Sequence, residues 1–122
     1  MYEIKVRGDF SGAHRLKGYA GKCERLHGHN WKVEAVVESA FLNKAGIAID
    51  FKLLKRRLKG AVKKLDHAFL NELSFFKKKN PSAENIARYI YDNLKKNLNN
   101  KMAVLKSVSV WETDTSCATY YE

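Results

Sequence analysis

The order in which hydrophobic periodicity changes along the 122 residues is the feature that most restricts the possible folds. Apolar residues alternate with polar ones from Tyr2 to Ala13 and from Trp31 to Glu38, which is typical of strands with one buried face. Two apolar stripes at helical spacing follow, and extended runs return over Val104 to Trp111 and Ala118 to Tyr121. The sequence therefore predicts an α+β fold with the order ββααββ.

Both predicted helices have a clear beginning. Asp50 is placed to cap the first helix, and Asn80-Pro81 opens the second, because proline is tolerated in a first turn. In the strand that precedes them, Gly8 and Gly12 suggest bulges. The first stripe comprises Phe51, Leu54, Leu58, Val62 and Leu65, and the second comprises Ile86, Ile90, Leu94 and Leu98.

These elements predict an antiparallel four-stranded sheet with both helices on one face. Such a sheet has two unpaired edges and one uncovered face, so we expect the subunits to form an oligomer. One proline, seven glycines and 45% hydrophobic residues leave no room for a linker, so we expect a single domain over residues 1–122.

The sequence contains no targeting signal that we can identify. Met1 to Lys5 lack the apolar core of a signal peptide, and no run reaches the length of a membrane span. Cys23 and Cys117 are then expected to be free thiols in a reducing cytosol rather than a disulfide. We expect a cytoplasmic protein with no membrane partner.

The formal net charge of +10 is concentrated in two basic stretches, Lys52 to Lys64 and Lys77 to Lys79. A solvated helix face, a nucleic-acid surface and the capture of a polyanionic small substrate would each explain it. No recognition motif or pattern of exposed aromatic residues stands out, so we expect no nucleic-acid partner. Charge alone does not identify the partner.

Three of the four histidines are placed to share one metal ion. His27 and His29 lie two residues apart at the entry to the second strand, so both imidazoles can point to one face. His14 ends the first strand, and antiparallel pairing of the two strands would bring it beside them. Three neutral histidines with an open fourth position are typical of a catalytic zinc site.

A cysteine lies close to this histidine group in the sequence. Cys23 has Lys22, Glu24 and Arg25 as neighbours, and nearby cations favour a thiolate. It is a candidate base or nucleophile, and the spacing equally permits a fourth zinc ligand that would close the site.

Two further sites have two interpretations each. Asp66-His67 follows the first helix, either as a surface pair that closes the helix or as an oriented proton-transfer pair. Glu112 ends an apolar strand, either as a solvated terminus or as an anchor for a ligand with two adjacent N–H donors, such as a 2-aminopyrimidinone.

With these residues in order, the chain resembles the 6-pyruvoyltetrahydropterin synthase/6-carboxytetrahydropterin synthase family over nearly its whole length. Within that family, the short C-x-x-x-H-G-H spacing resembles the bacterial 6-carboxytetrahydropterin synthases (QueD). The motifs that carry the resemblance are Phe10-Ser11-Gly12-Ala13-His14, Cys23-Glu24-Arg25-Leu26-His27-Gly28-His29, Ile49-Asp50-Phe51, Leu65-Asp66-His67, Asn80-Pro81-Ser82-Ala83-Glu84-Asn85 and Trp111-Glu112-Thr113.

The resemblance implies a fold, an assembly and an activity. The fold is the tunnelling fold, whose ββααββ subunits join into a barrel, with two trimers forming a homohexamer and the active site between subunits. The implied enzyme is a Zn²⁺-dependent lyase of queuosine biosynthesis. It converts 7,8-dihydroneopterin triphosphate to 6-carboxy-5,6,7,8-tetrahydropterin, acetaldehyde and triphosphate.

The resemblance also implies roles for individual residues. The metal ligands would be His14, His27 and His29; the catalytic residues would be Cys23 as the base and Asp66 with His67 as a proton relay; the substrate-binding residues would be Glu112 and Thr113.

Two alternatives remain open at this point. The first is the biopterin-type 6-pyruvoyltetrahydropterin synthase reaction, which keeps all three side-chain carbons. The second is a basic, zinc-stabilised nucleic-acid-binding module, which should unfold when its metal is removed.

Overall fold

The strands and helices occur in the predicted order, with one short strand added. The computed structural model describes residues 1–18, 25–98 and 100–122. Two short 3₁₀ helices, Leu70–Glu72 and Ser74–Phe76, also precede the second α-helix. The main elements are β1 (Tyr2–His14), β2 (His27–Ser39), α1 (Phe51–Val62), β3 (Ala68–Phe69), α2 (Ala83–Leu98), β4 (Val104–Thr113) and β5 (Ser116–Tyr121).

The sheet has five strands in the order β3-β1-β2-β4-β5, and it is mixed, not purely antiparallel. The prediction of four antiparallel strands was wrong in this respect, because β3 pairs in parallel with β1 at Gly12 and Ala13. The chain leaving α1 turns back along the end of β1, where the His67 amide donates to the Ser11 carbonyl over 2.6 Å. A two-residue strand is too short to show a periodicity in the sequence.

The glycines of β1 mark close packing and not the predicted bulges. β1 and β2 pair residue by residue from Tyr2 opposite Ser39 to His14 opposite His27, with no shift in register. A Cβ at Gly8 would lie 3.3 Å from a Leu58 methyl group, and a Cβ at Gly12 would lie 3.2 Å from the Leu65 carbonyl oxygen. These glycines let α1 and the turn after it approach the strand.

Both helices pack on one face of the sheet, as predicted. α1 contacts β1, α2 contacts β4 and β5, and the helices contact each other. The Asp50 side chain caps α1 by accepting a hydrogen bond from the Lys52 amide. Phe51 departs from the predicted stripe because it lies in the first turn of α1 and is 59% exposed. The other stripe residues are buried: Leu54, Leu58, Val62, Leu65, Ile86, Ile90, Leu94 and Leu98.

Two edges of the sheet lack a strand partner within the described part of the chain. They are the outer edge of β5 and the edge of β1 that precedes its short pairing with β3. Unpaired edges favour pairing with another chain. Oligomer formation therefore remains a prediction. In the residues that the structure describes, we find no helix of sufficient length and hydrophobicity to cross a membrane.

Candidate metal centre and active site

The pairing of β1 with β2 brings the three predicted histidines together. His14 lies directly opposite His27, and His29 lies two residues further along the same face of β2. The Nε2 atoms of His14 and His27 are 2.9 Å apart. One ligand atom from each of the three histidines and from Glu112 lies within 4.8 Å of all the others, so the group could bind a metal ion.

Hydrogen bonds on the far side of two rings determine which nitrogen faces the group. His14 Nδ1 lies 2.7 Å from the Pro81 carbonyl oxygen, and His27 Nδ1 lies 2.7 Å from the Arg25 carbonyl oxygen. A carbonyl oxygen only accepts, so each Nδ1 carries the proton and each Nε2 keeps its lone pair. Two lone pairs at 2.9 Å cannot form a hydrogen bond with each other. A cation between them satisfies both.

The third histidine shows the same need for a partner. His29 Nε2 is buried and has no hydrogen-bond partner, although a Glu112 carboxylate oxygen lies only 2.9 Å away. That oxygen is also 3.6 Å from His14 Nε2 and 3.9 Å from His27 Nε2. A buried polar atom without a partner is costly, and a metal ion at the centre of the four atoms would remove that cost.

Burial keeps His14 in the form that binds metals. The side chain is 1% exposed, and burial lowers the pKa of its imidazole more than the hydrogen bond to the Pro81 carbonyl raises it. Metal binding requires neutral imidazole, because a protonated ring has no free lone pair. The low pKa therefore favours the metal-binding form of His14 at neutral pH.

The buried aromatic rings of Trp31 and Phe10 pack beside the histidine group. Trp31 is fully buried, and its indole N–H donates to the Gly12 carbonyl over 3.1 Å. Its ring meets those of His14 and His29 edge to face, with centroids 5.0 and 5.2 Å away, and stacks on Phe10 from the other side. Large buried rings restrict rotamers, so the nitrogen positions are set before any ligand arrives.

Glu112 joins the histidines because of its position on β4. Val108 and Val110 are fully buried on the helix side of the sheet, and Glu112 continues their alternation by two residues. Glu112 was predicted to be a solvated strand end or a substrate anchor, and its approach to the histidines was not predicted. The alternation of Val108, Val110 and Glu112 was the available signal, once β4 was known to pair with β2.

Asp66 and His67 form a second, separate group. Asp66 Oδ1 accepts from the Ser11 amide over 3.0 Å and lies 3.0 Å from His67 Nδ1. The hydrogen bond from Ser11 is the largest cause that lowers the pKa of the Asp66 carboxyl, and His67 acts in the same direction. His67 has φ 55°, and its side chain is 84% exposed. The adjacent side chains do meet, and the left-handed backbone of His67 accompanies that contact.

Two asparagines that were not predicted as site residues hold the segment after His14. Asn71 accepts from the Arg15 amide and donates to the Arg15 carbonyl, both over 2.9 Å. Asn80 makes the same two contacts with Lys17, over 2.9 and 2.8 Å. Each amide side chain thus imitates a paired strand, and asparagine is too common in turns for its type alone to reveal this.

Two further residues were predicted as site residues. Cys23 lies outside the described residues. The Thr113 hydroxyl oxygen lies 3.3 Å from the Thr115 amide nitrogen, in the turn between β4 and β5.

The sequence and the fold both match known proteins. A family model for 6-pyruvoyl tetrahydropterin synthase matches residues 3–122. The chain is 41% identical over 109 residues to a dihydroneopterin monophosphate aldolase of Pyrococcus furiosus, covering 89% of this chain and 88% of the relative. It is 33% identical to the 6-carboxy-5,6,7,8-tetrahydropterin synthase of Haemophilus influenzae, covering 100% of both chains.

The solved structure of Caenorhabditis elegans 6-pyruvoyl tetrahydropterin synthase superposes with a TM-score of 0.89 at 28% identity, covering 99% of this chain and 95% of that chain. Agreement in sequence and fold over almost every residue confirms the family that the motifs predicted. The chain belongs to the 6-pyruvoyl tetrahydropterin synthase family of enzymes.

Proposed function

We propose that this protein is a zinc-dependent 6-carboxy-5,6,7,8-tetrahydropterin synthase acting on 7,8-dihydroneopterin triphosphate in queuosine biosynthesis. The observation that carries the proposal is that one ligand atom from each of His14, His27 and His29 lies within 4.8 Å of the others. The name of the H. influenzae relative, at 33% identity, supports the choice of reaction.

Imidazole nitrogens suit zinc, copper, iron and nickel, and among these the resemblance to the family favours zinc. Magnesium and calcium prefer oxygen ligands. Zinc bound there would supply Lewis-acid chemistry by lowering the pKa of coordinated hydroxyl groups. His14, His27 and His29 would hold it, and the carbonyls of Pro81 and Arg25 would orient two of the rings.

The proton transfers are assigned to Cys23, Asp66 and His67. Cys23 is proposed as the base on the strength of the resemblance. The Asp66 carboxylate is held by the Ser11 amide and keeps a proton on the facing nitrogen of His67, which would leave the other ring nitrogen free to exchange a proton. The exposure of His67 suits a group that acts on a site completed by a neighbouring subunit.

Glu112 is proposed to contact the substrate, together with Thr113. Its position adds a second possibility, since an oxygen 2.9 Å from His29 Nε2 could also complete the metal site. An oxygen that binds the metal is a weaker acceptor for a pterin N–H group, so the two roles depend differently on the charge of the carboxylate. The two roles are therefore separable by experiment.

The Glu112→Gln variant separates them, because glutamine keeps the shape and removes the charge. If Glu112 anchors the ring, pterin affinity should fall by about ten- to a thousandfold while zinc affinity is retained. If Glu112 is a metal ligand, the zinc affinity of the variant should fall. Titration calorimetry with a pterin product and competition with a zinc chelator measure the two quantities.

The remaining parts of the proposal concern assembly and location. A single domain over residues 1–122, forming a homohexamer of two trimers in the cytoplasm, would pair the free strand edges of β1 and β5. Sedimentation analysis of the metal-loaded protein tests this assembly, and a stable monomer would contradict it.

A second candidate is an aldolase reaction on dihydroneopterin monophosphate. It is favoured by the P. furiosus relative, at 41% identity. An aldolase removes a hydroxyl proton as the adjacent carbon–carbon bond breaks and an aldehyde leaves. The same base and the same polarised hydroxyl would serve both reactions, so the two candidates differ in substrate and product and not in the catalytic groups.

One experiment distinguishes the candidates. Zinc-loaded protein is incubated separately with the triphosphate and the monophosphate of dihydroneopterin, with His14→Ala as the control, and all products are identified by mass spectrometry. Acetaldehyde and a 6-carboxypterin from the triphosphate support the synthase. Cleavage of the monophosphate supports the aldolase, and a product with three side-chain carbons supports the pyruvoyl reaction.

Two further outcomes would contradict a pterin enzyme. One is the absence of any product from either substrate despite full zinc loading. The other is unfolding on removal of zinc together with tight binding of nucleic acid, which would favour the zinc-stabilised module.

A further inference from the structure

The segment that presents the Pro81 carbonyl to the histidine group is held on both sides. After Pro81, the Ser82 hydroxyl accepts from the Asn85 amide over 3.2 Å, and the Ser82 carbonyl accepts from the Ile86 amide over 2.9 Å. Before Pro81, the Asn80 carbonyl accepts from the side-chain amide of Asn85 over 2.9 Å. Pro81 itself is buried, so it lies between two peptide groups that α2 holds in place.

Proline makes the bond from Asn85 the decisive one. Because proline has no amide hydrogen, the peptide group between Asn80 and Pro81 can be held by a hydrogen bond only through the Asn80 carbonyl. The proline ring also fixes φ, so the direction of the Pro81 carbonyl follows from the direction of that peptide group and from one further angle, ψ. The Asn85 side chain therefore helps to place the oxygen that lies 2.7 Å from His14 Nδ1.

The side chain of Asn80 binds the chain on the other side of this contact. It accepts from the Lys17 amide over 2.9 Å and donates to the Lys17 carbonyl over 2.8 Å, three residues after His14. Asn80 thus joins the strand end that carries the His14 ring to the segment that carries the carbonyl facing it. One residue fixes the donor and the acceptor relative to each other.

We propose that Asn80 is a positioning residue for the metal site, which acts on the His14 ring through the Pro81 carbonyl, and that Asn85 supports it. The hydrogen bond on the far nitrogen of a metal-binding histidine fixes its tautomer and its ring direction. Without that bond, the His14 ring is free to turn, and a proton on Nε2 would block metal binding. The inference rests on the metal site of the proposed function and is independent of the substrate and the reaction.

α2 itself supplies a matched control for Asn85. Asn93 is half-buried like Asn85, and its side-chain amide donates to the Tyr89 carbonyl, one turn back in the same helix, over 2.8 Å. Asn85→Ala and Asn93→Ala each remove one such bond and leave the backbone bonds of the helix intact. Only the bond from Asn85 reaches out of the helix towards the histidine group.

The first measurement is zinc affinity by competition with a chelator. Asn80→Ala should bind zinc about ten- to a hundredfold more weakly than the wild type, as is typical when an outer partner of a ligand is lost. Asn85→Ala, which acts one step further from the metal, should weaken binding by about three- to tenfold. Asn93→Ala should change it by less than about twofold. Circular dichroism establishes that each variant is folded, and Asn85→Ala decides the test if Asn80→Ala does not fold.

The second measurement separates positioning from overall stability. In zinc-loaded protein labelled with nitrogen-15, the exchange of the His14 Nδ1 proton with solvent is compared with that of the Trp31 indole proton, which is buried in the same site. Both protons are assigned with the corresponding alanine variant of His14 and phenylalanine variant of Trp31. In Asn80→Ala and Asn85→Ala, the His14 proton should exchange at least about tenfold faster at an unchanged Trp31 rate, because only the His14 contact is released.

Three results would overturn the proposal. They are a zinc affinity within about twofold of the wild type in both Asn80→Ala and Asn85→Ala, equal weakening in Asn93→Ala, and His14 and Trp31 protons that accelerate together. The last result would reduce Asn80 to a contribution to overall stability. If the wild type binds no zinc at all, the proposed function fails, and the same exchange measurement on the protein without metal still decides whether Asn80 orients His14.

Discussion

His14 and His67 are the same residue type in opposite environments. His14 is 1% exposed, packs edge to face on Trp31 and has its ring orientation set by the Pro81 carbonyl. His67 is 84% exposed in its side chain, has a left-handed backbone and pairs with the residue that precedes it. The fold thus preorganises the candidate metal ligands His14, His27 and His29, which we call the metal end, within one chain. The Asp66–His67 pair, which we call the proton-transfer end, faces outward. Under the proposed function both groups serve one active site, so we expect a second subunit to bring them together.

The largest effect is expected from substitutions that remove one histidine of the metal end. His29→Ala removes one of three converging nitrogens, and His14→Ala removes another. Loss of an outer-shell partner typically costs about 10–100-fold in metal affinity, so loss of a ligand should cost at least that much. Zinc measured by atomic emission after dialysis should fall well below one per chain, and activity should fall with it.

Cys23→Ala and His67→Ala serve as the matched controls for that prediction. Both should keep zinc near the wild-type level while turnover collapses, since neither is proposed as a ligand. If Cys23→Ala loses zinc as completely as His29→Ala, the cysteine is a fourth ligand and the open catalytic site is wrong.

The next prediction tests whether the two ends meet across a subunit interface. Inactive Cys23→Ala subunits mixed with inactive His67→Ala subunits should recover activity, because some interfaces then combine an intact cysteine with an intact histidine. Random mixing would restore up to about a quarter of the sites. Activity is measured after subunit exchange has been demonstrated by mass spectrometry of tagged chains. Exchange without recovery would place both groups in one subunit.

The strand arrangement explains why the metal end was predictable from the sequence. The spacing of His27 and His29 needs only the two-residue period of a strand, and His14 needs only one antiparallel pairing, which the alternating patterns specify. Glu112 needs a third strand, β4, beside β2, and no pattern in the sequence states that neighbour relation. Its approach to the histidines therefore emerged only from the folded chain.

The contact between Asp66 and His67 was left open in the sequence for a different reason. The two residues are adjacent, and their side chains face each other beside a backbone angle, φ 55°, that non-glycine residues adopt uncommonly. The Ser11 amide and carbonyl hold this dipeptide on both sides, and the two-residue strand β3 follows it directly. None of these causes leaves a periodic signal.

A smaller effect sharpens the comparison at His67 itself. A left-handed conformation costs a non-glycine residue roughly 1–2 kcal/mol, and glycine avoids that cost. His67→Gly should therefore be more stable than His67→Ala by about 1 kcal/mol. Both variants should be inactive with their zinc retained. Urea denaturation of the zinc-loaded proteins measures the difference, and equal stability would show that the turn is not strained.

The smallest effect concerns Asp66 and pH. The Ser11 amide lowers the pKa of this carboxyl below its ordinary value near 3.8, so the charged form is favoured in the folded protein. Its contribution to stability is complete above the ordinary pKa and is lost as the pH falls through the lower, folded pKa. The difference in unfolding free energy between wild type and Asp66→Asn should therefore shrink when denaturation is repeated from pH 6 down to pH 3.

Asp9→Asn is the control, because Asp9 is exposed on the same strand as Ser11 and has no hydrogen-bond or ion-pair partner for its side chain among the described residues. Two results would contradict this prediction: a difference for Asp66→Asn that stays constant with pH, or one that Asp9→Asn reproduces. Either would mean that the Ser11 contact does not stabilise the charged carboxylate. The orientation of His67 would then depend on the backbone alone.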